Sequence, residues 1–465
     1  MLLAGIKHII ARTIPWYTRC IGLFLLLFLV ACGTDENGDS IKLEKPVLTT
    51  SLPADGSENV NAGEQQLLLI FDQNIVLGNK DAVRLNDKEV VAASAAFKEL
   101  KVTVILEEAT EYTLVIPAGK VKGPTGVGAD EINIRFTTRG SAGSTVKTTL
   151  VTADPLPETQ RVYDFLRENY GKKIVSGTMA NVAWNTNEAE WVHQHTGKYP
   201  ALNCFDYIHL YASPANWINY EDTEVVERWW GNNGLVAAMW HWNVPAAPGS
   251  DNYAFYTDGT SFDVSKAVQE GTYENDIVKA DLEKMANNLL LLKEKNIPVI
   301  WRPLHEAAGG WFWWGAKGAA PCKELWKLMF ETFREKGLNN LIWVWTSETG
   351  DHDWYPGDGY VDIIGRDAYN KSTGKLREEY EWLVQIYPDK MIALSEFGSV
   401  ADISEQWTQG VIWSWFMPWY DHERTVNTSG SAFEEATHQH ANAAYWQKAV
   451  TMEAVITRDE MPDLK

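Results

Sequence analysis

The sequence predicts an α/β protein, a (β/α)8 barrel preceded by a small β-sandwich, and three observations carry that reading. From Lys147 onward, strand-like and helix-like runs alternate, and eight such units in roughly 300 residues are what a barrel of this class needs. Between Lys45 and Gly140 there are only short alternating or apolar runs separated by turns, with no helical period. Finally, of 22 tryptophans, all but Trp16 lie at or after Trp184. The change of composition falls near Gly140-Ser141-Ala142-Gly143-Ser144, a segment flexible by composition. At 465 residues the chain also exceeds what one hydrophobic core usually covers.

The first 32 residues read as a targeting segment. Lys7, Arg12 and Arg19 make a basic start, and Ile21 to Val30 form an apolar run too short to span a bilayer. Leu29-Val30-Ala31-Cys32 resembles a bacterial lipobox, which implies cleavage before Cys32 and lipidation of that residue. The expectation is an outer-membrane lipoprotein, facing outward or into the periplasm, held by acyl chains. Residues 33–44, including Gly33-Thr34-Asp35-Glu36-Asn37-Gly38-Asp39, form an acidic tether similar to the export signal of surface lipoproteins.

Residues 45–140 hold the sandwich. Its clearest strands are Leu67-Leu68-Leu69-Ile70-Phe71, Lys101-Val102-Thr103-Val104-Ile105-Leu106, Tyr112-Thr113-Leu114-Val115-Ile116 and Ile132-Asn133-Ile134-Arg135-Phe136. Asp55-Gly56, Leu77-Gly78 and Gly123-Pro124 supply turns. Pro53-Ala54-Asp55-Gly56 followed by Ile70-Phe71-Asp72 resembles bacterial Ig-like domains. The region has no tryptophan with which to stack on a sugar, so a spacer is the expected role.

After a linker at 141–150, the barrel is expected over 151–465. Its strands are predicted at 173–177, 199–206, 235–242, 298–306, 341–347, 361–369, 390–398 and 410–419. Helices are predicted at 273–296, 321–336 and 376–387, with a closing helix over 432–455. Two of the strands end in a carboxylate: Val299-Ile300-Trp301-Arg302-Pro303-Leu304-His305-Glu306 and Met391-Ile392-Ala393-Leu394-Ser395-Glu396. In this fold the functional groups gather at the carboxyl ends of the strands, and strands four and seven face each other across the mouth.

Cleaving a glycosidic bond needs one carboxylic acid to protonate the leaving oxygen and one carboxylate to attack or to activate water. The acid needs an apolar setting, which Trp311 and Trp313 supply beside Glu306, whereas Glu396 needs donors to stay ionised. Trp311, Trp313 and Trp314 sit in a glycine-flanked loop, so their rings are expected to face solvent and stack on sugar. Trp343 and Trp345 are expected to fill the barrel, and Trp354, in a loop with Asp351, His352 and Asp353, is either another platform or without a role.

The two motifs, Arg302-Pro303-Leu304-His305-Glu306 with Trp311 and Leu394-Ser395-Glu396-Phe397-Gly398, resemble glycoside hydrolase family 26 over about 173–420. That resemblance implies a retaining endo-β-1,4-mannanase with Glu306 as acid/base and Glu396 as nucleophile. It also implies substrate contacts from His241, His305 and Trp311, a hydrogen bond from Tyr369 to the nucleophile, and a sugar platform at Trp419. Tyr420 stands where some relatives carry arginine.

Other classes find little support. A formal charge of −21 argues against nucleic acid. His193 and His195 lie two apart on a helix and share no face, and no HExxH or cysteine pair appears, so neither metal nor cofactor is expected. Cys204 and Cys322 read as buried free thiols. A monomer acting on mannan, galactomannan or glucomannan is the leading expectation. Mixed-linkage glucan or β-1,3-xylan as substrate, and a non-catalytic glycan-binding lipoprotein, stay open at this stage.

Overall fold

The computed structural model describes residues 44–60, 62–138, 140, 146–181, 184–210 and 218–465. Cys32 and its lipobox-like surroundings, residues 33–43 of the tether, and residues 141–145 lie outside the described residues.

Residues 44–138 form two packed sheets. One joins Leu48–Leu52, Gly63–Phe71, Glu99–Leu106 and Ala92–Ala96; the other joins Ser57–Val60, Ile132–Thr138, Glu111–Ile116, Arg84–Leu85 and Lys88–Glu89. Alternation decides which side chains meet: Leu100, Val102, Val104 and Leu106 are buried from one strand, and Ile132, Ile134 and Phe136 from another.

The remainder is the barrel. Its eight parallel strands are β1 (Ile174–Met179), β2 (Leu202–Asp206), β3 (Leu235–Met239), β4 (Val299–Arg302), β5 (Leu341–Thr346), β6 (Ile363–Tyr369), β7 (Met391–Gly398) and β8 (Trp415–Pro418). β1 pairs with both β2 and β8, which closes the ring. The strands are apolar and buried on both faces because helices cover the outside. Tyr273–Glu294, Ala319–Glu335 and Thr373–Ile386 are three of these helices. Thr272 and Ser372 cap the first and third by accepting from Asn275 N and Lys375 N. Among the described residues, no helix is long and apolar enough to cross a membrane.

Two expectations need correction. Trp343 and Trp345 do not fill the barrel. Both pack against Trp326 on the covering helix, at 5.8 and 5.2 Å between ring centroids, and so form the outer wall of β5. The closing helix over 432–455 is broken. Only Ser431–Glu434 and Ala443–Val450 are helical, because side chains capture the backbone between them. His438 Nδ1 accepts from the amides of His440 and Ala441, Asp421 Oδ2 accepts from Gln439 N, and Asn442 caps the helix that follows.

Cys204 and Cys322 are buried free thiols, as the sequence implies, and burial pushes both upward in pKa.

Candidate active site

The carboxyl ends of β4, β6 and β7 build the site. In β7 the register with β6 slips: Arg366 pairs with Leu394 but Asp367 with Glu396, leaving Ser395 as an extra residue. A bulge of this kind re-aims side chains beside it. Here Ser395 Oγ donates to Asp367 Oδ1 at 2.7 Å. The close fit requires glycine at Gly365, where a Cβ would fall 2.4 Å from Ser395 Oγ.

Arg302, the last residue of β4, is fully enclosed. Its Nη1 donates to Asp367 Oδ2 at 2.7 Å and its Nη2 to Glu396 Oε2 at 2.6 Å. The other Glu396 oxygen accepts from the Tyr369 hydroxyl at 2.7 Å. Glu396 is thus held by two donors, one of them permanently charged. Burial and Asp367 push its pKa up, while Arg302 and Tyr369 pull it down. The net direction is upward, yet of the two glutamates it is Glu396 that has a buried guanidinium within hydrogen-bond reach, so Glu396 is the one placed to carry the charge. Burial alone would lower Arg302, but Asp367 and Glu396 more than offset it. Tyr369 is pushed up by burial and then by Glu396, so it keeps its proton and donates.

Glu306 has no such cation. It follows β4 in the left-handed backbone region (φ 51°), two residues after Leu304 (φ 47°), conformations that non-glycine residues adopt at a cost. Its Oε2 accepts from Trp311 Nε1 at 3.0 Å. Burial comes first, and the charges of Asp367 and Glu396 add to it, so Glu306 is pushed well above the usual carboxylate range. The pair therefore divides its labour: Glu306 holds the proton and Glu396 the charge.

One carboxylate oxygen from each of Glu306, Asp367 and Glu396 lies within 4.8 Å of the others. Such a cluster has the donor set of a cation site, and Arg302 already bridges two of its members. An oxygen-to-oxygen approach of no more than 4.8 Å between the two glutamates suits the close spacing of a retaining pair, about 5–5.5 Å between carboxyl groups, better than the about 6.5–9.5 Å that an inverting pair keeps for a water.

The sequence-predicted binding residues converge on one mouth of about 450 Å³, lined by His241, His305, Trp311, Tyr369 and Trp419 together with both glutamates. His241 Nδ1 donates to Asp206 Oδ2 at 2.6 Å, and Asp206 Oδ1 accepts from the His241 amide. That grip fixes the ring and leaves Nε2 free to accept. His305 packs edge-on to His241 at 4.6 Å. It is held neutral by burial, then by His241 and Arg302. Trp419 meets His241 at 5.7 Å.

The aromatic loop differs from expectation. Trp311 is 40% exposed, but Trp313 and Trp314 are fully buried. Their indole N–H groups donate to Trp242 O at 2.7 Å and His305 O at 2.9 Å, so they brace the histidine-bearing backbone from behind. Trp354 is half-buried against the barrel core and lies outside this mouth.

Sequence reasoning gave no role to Arg302, Asp367, Asp206 or Tyr256. Arg302 had a readable signal, a charge closing an apolar strand, and so had Asp206. Tyr256, on a hairpin that pairs with Phe312, had none.

A barrel mouth with two carboxyls this close, one clasped by donors and one desolvated, defines a retaining glycoside hydrolase. The model of glycosyl hydrolase family 26 matches residues 151–446, and that of a bacterial Ig-like domain matches 43–138. The chain belongs to glycosyl hydrolase family 26.

It is 35% identical over 375 residues to a mannan endo-1,4-β-mannosidase of Thermothelomyces thermophilus, covering 73% of this chain and 75% of that protein. Mannan endo-1,4-β-mannosidase A of a Piromyces species is 36% identical over 59% of this chain, which spans 46% of that longer protein. Among solved structures, the family 26 domain of a Prevotella bryantii endo-β-mannanase/endo-β-glucanase is 40% identical. It superposes with a TM-score of 0.62 over 68% of this chain and 99% of that one. A β-mannanase from a symbiotic protist of the termite Reticulitermes speratus, solved with a gluco-manno-oligosaccharide, is 35% identical with a TM-score of 0.60, over 69% of this chain and 99% of that one.

Proposed function

We propose that this chain is an endo-acting β-1,4-mannanase in which Glu306 is the acid/base and Glu396 the nucleophile. The observation that carries the role assignment is the unequal treatment of two neighbouring carboxyls: Arg302 and Tyr369 hold Glu396, and among the described residues only an indole N–H reaches Glu306. Glu396 attacks the anomeric carbon from one face while Glu306 gives its proton to the departing oxygen. A covalent glycosyl-enzyme forms and the leaving chain departs. Glu306, now a carboxylate, takes a proton from water, which displaces Glu396 and returns a product of the original configuration.

His241, His305, Trp311, Tyr369 and Trp419 surround the sugar in this reading. Its support is their convergence on the mouth, with Asp206 and the buried indoles fixing the histidines. No cofactor enters the scheme. Mannan, galactomannan and glucomannan are the proposed substrates, supported by the names of the relatives.

The chain further reads as a monomeric outer-membrane lipoprotein anchored at Cys32. The lipobox-like sequence and the acidic tether support that reading.

The test is product release from galactomannan, glucomannan, mixed-linkage glucan and β-1,3-xylan, with wild type beside Glu396→Ala. Manno-oligosaccharides from the first two, lost in the variant, are expected. Activity confined to glucan or xylan would overturn the substrate and keep the mechanism. Binding without hydrolysis of any of them would overturn the enzyme reading.

A further inference from the structure

We infer that one tip of the Ig-like sandwich, formed by Val47, Val76 and Phe97, is a membrane-contact surface that seats this domain on the bilayer. The inference rests on the lipid-anchor reading of Cys32.

The first argument is exposure. Val47 is 57%, Val76 62% and Phe97 81% exposed. They belong to one end of the domain: Asp72 N donates to Val47 O, and Ile75 N donates to Phe97 O, so the turn running from Asp72 to Val76 joins all three. Phe97 also occupies the left-handed region (φ 51°), where a bulky residue is unusual and asparagine or glycine is the common choice. The hairpin does not select phenylalanine here. Its ring is held out in water at a position its backbone disfavours.

The second argument is direction. Leu48 pairs with Phe71 and Ile70 with Glu99, while Gly63 pairs with Leu106 at the other end of the same strands. The chain therefore comes in beside Phe97. It leaves at Thr138, whose hydroxyl donates to Glu107 O just beyond Leu106. Entrance and exit are separated by the length of the strand Glu99–Leu106, about 25 Å. Residues 33–43 lie between Cys32 and the first described residue and can reach at most about 40 Å. An anchor at Cys32 thus holds the entrance end within about 40 Å of the membrane and leaves the exit end free to lie about 25 Å farther away.

The third argument is charge. Lys45 is paired with Asp130 and Lys98 Nζ is tied to Asp72 O, while Lys122, opposite Val76 on the neighbouring strand, flanks the tip with a positive charge. In a chain of net charge −21, the contact is apolar: rings and branched side chains at the headgroup boundary of a neutral bilayer.

The test uses residues 33–465 with an N-terminal histidine tag on phosphatidylcholine vesicles doped with a nickel-chelating lipid. A polarity-sensitive dye is placed on Phe97→Cys or, at the opposite end, on Glu108→Cys; the native Cys204 and Cys322 are buried. In parallel, membrane fractionation compares the full-length chain with Cys32→Ala.

The expected result is a blue shift and quenching by brominated acyl chains at position 97, neither at 108, with loss of Cys32→Ala from the membrane fraction. A water-like signal at 97 on vesicle-bound protein would overturn the tip contact while leaving the anchor standing. Unchanged fractionation of Cys32→Ala would remove the anchor, and the inference with it. A shift without vesicles that grows with protein concentration would assign the tip to a second copy and overturn the proposal.

Discussion

Arg302 is the residue on which the site's electrostatics turn. Enclosed with two carboxylates, it keeps Glu396 charged in a setting that would otherwise protonate it. Tyr369 assists, and the sign of its removal follows. Burial and Asp367 raise Glu396, the Tyr369 hydroxyl lowers it, and deleting that hydroxyl raises it further. Glu396 must be ionised to attack, so in Tyr369→Phe the acid limb of the kcat/KM profile should move to higher pH. A hydrogen bond to a charged group is worth about 1.5–3 kcal/mol, so the loss at mildly acid pH should be roughly 10- to 100-fold. An unmoved limb would show that the hydroxyl serves substrate alone. For Glu306→Ala, polysaccharide hydrolysis should collapse, while aryl glycosides with good leaving groups, which need no proton, should keep a larger share of their rate. Equal losses on both would remove Glu306 from the acid role. The paired carboxyls were legible in sequence because each ends an apolar strand. Their opposite protonation was only half legible, since Arg302 and Asp367 reach Glu396 across 94 and 29 residues of chain.

Strands and loops explain why the rest was harder to read. Eight strands of buried apolar residues announce themselves, and each predicted strand has its counterpart. The aromatic loop after β4 misleads because composition does not say which rings turn inward. Backbone acceptors at Trp242 and His305 give Trp313 and Trp314 a buried home. The segment from Glu435 to Asn442 misleads for a related reason: long-range partners override a plausible helix. Glu188, at the start of the helix after β1, accepts from Asp421 N at 2.7 Å and Thr425 Oγ1 at 2.8 Å. It also contacts His438 Nε2 at 3.0 Å, which donates because Nδ1 is already accepting. His440, carried on this segment, then packs edge-on to Tyr369 at 5.9 Å. Glu188→Ala strands a buried amide, a hydroxyl and an imidazole together, which should cost about 3–5 kcal/mol. For a domain of this size the barrel's Tm should fall by roughly 4–8 °C. A change under 2 °C in thermal unfolding would mean that the segment is held some other way.

At the scale of the molecule, two hydrophobic clusters share no residue: one runs from Leu67 to Phe136, the other from Val146 to Met461. The second already includes the first described residues after 145. Val146 is buried, Val151 N donates to Asp362 Oδ1, and Thr152 Oγ1 to Leu341 O. Every residue assigned to the barrel mouth belongs to the second cluster's domain, as does every group that fixes those residues. Cooperativity follows shared burial, so calorimetry of the whole chain should show two transitions. Residues 146–465 alone should reproduce one of them, with kcat/KM on soluble galactomannan within about twofold of the full chain, because no buried contact of the site is lost. Cutting at 153 instead should lower that transition by removing Val146, Val151 and Thr152. If the whole chain melts once, or if 146–465 loses activity on the soluble polymer, the Ig-like domain supports the barrel directly and is more than a spacer. If both behave as expected, any advantage of the full chain should be confined to insoluble or membrane-presented substrate, where holding the barrel at a distance matters and its chemistry does not change.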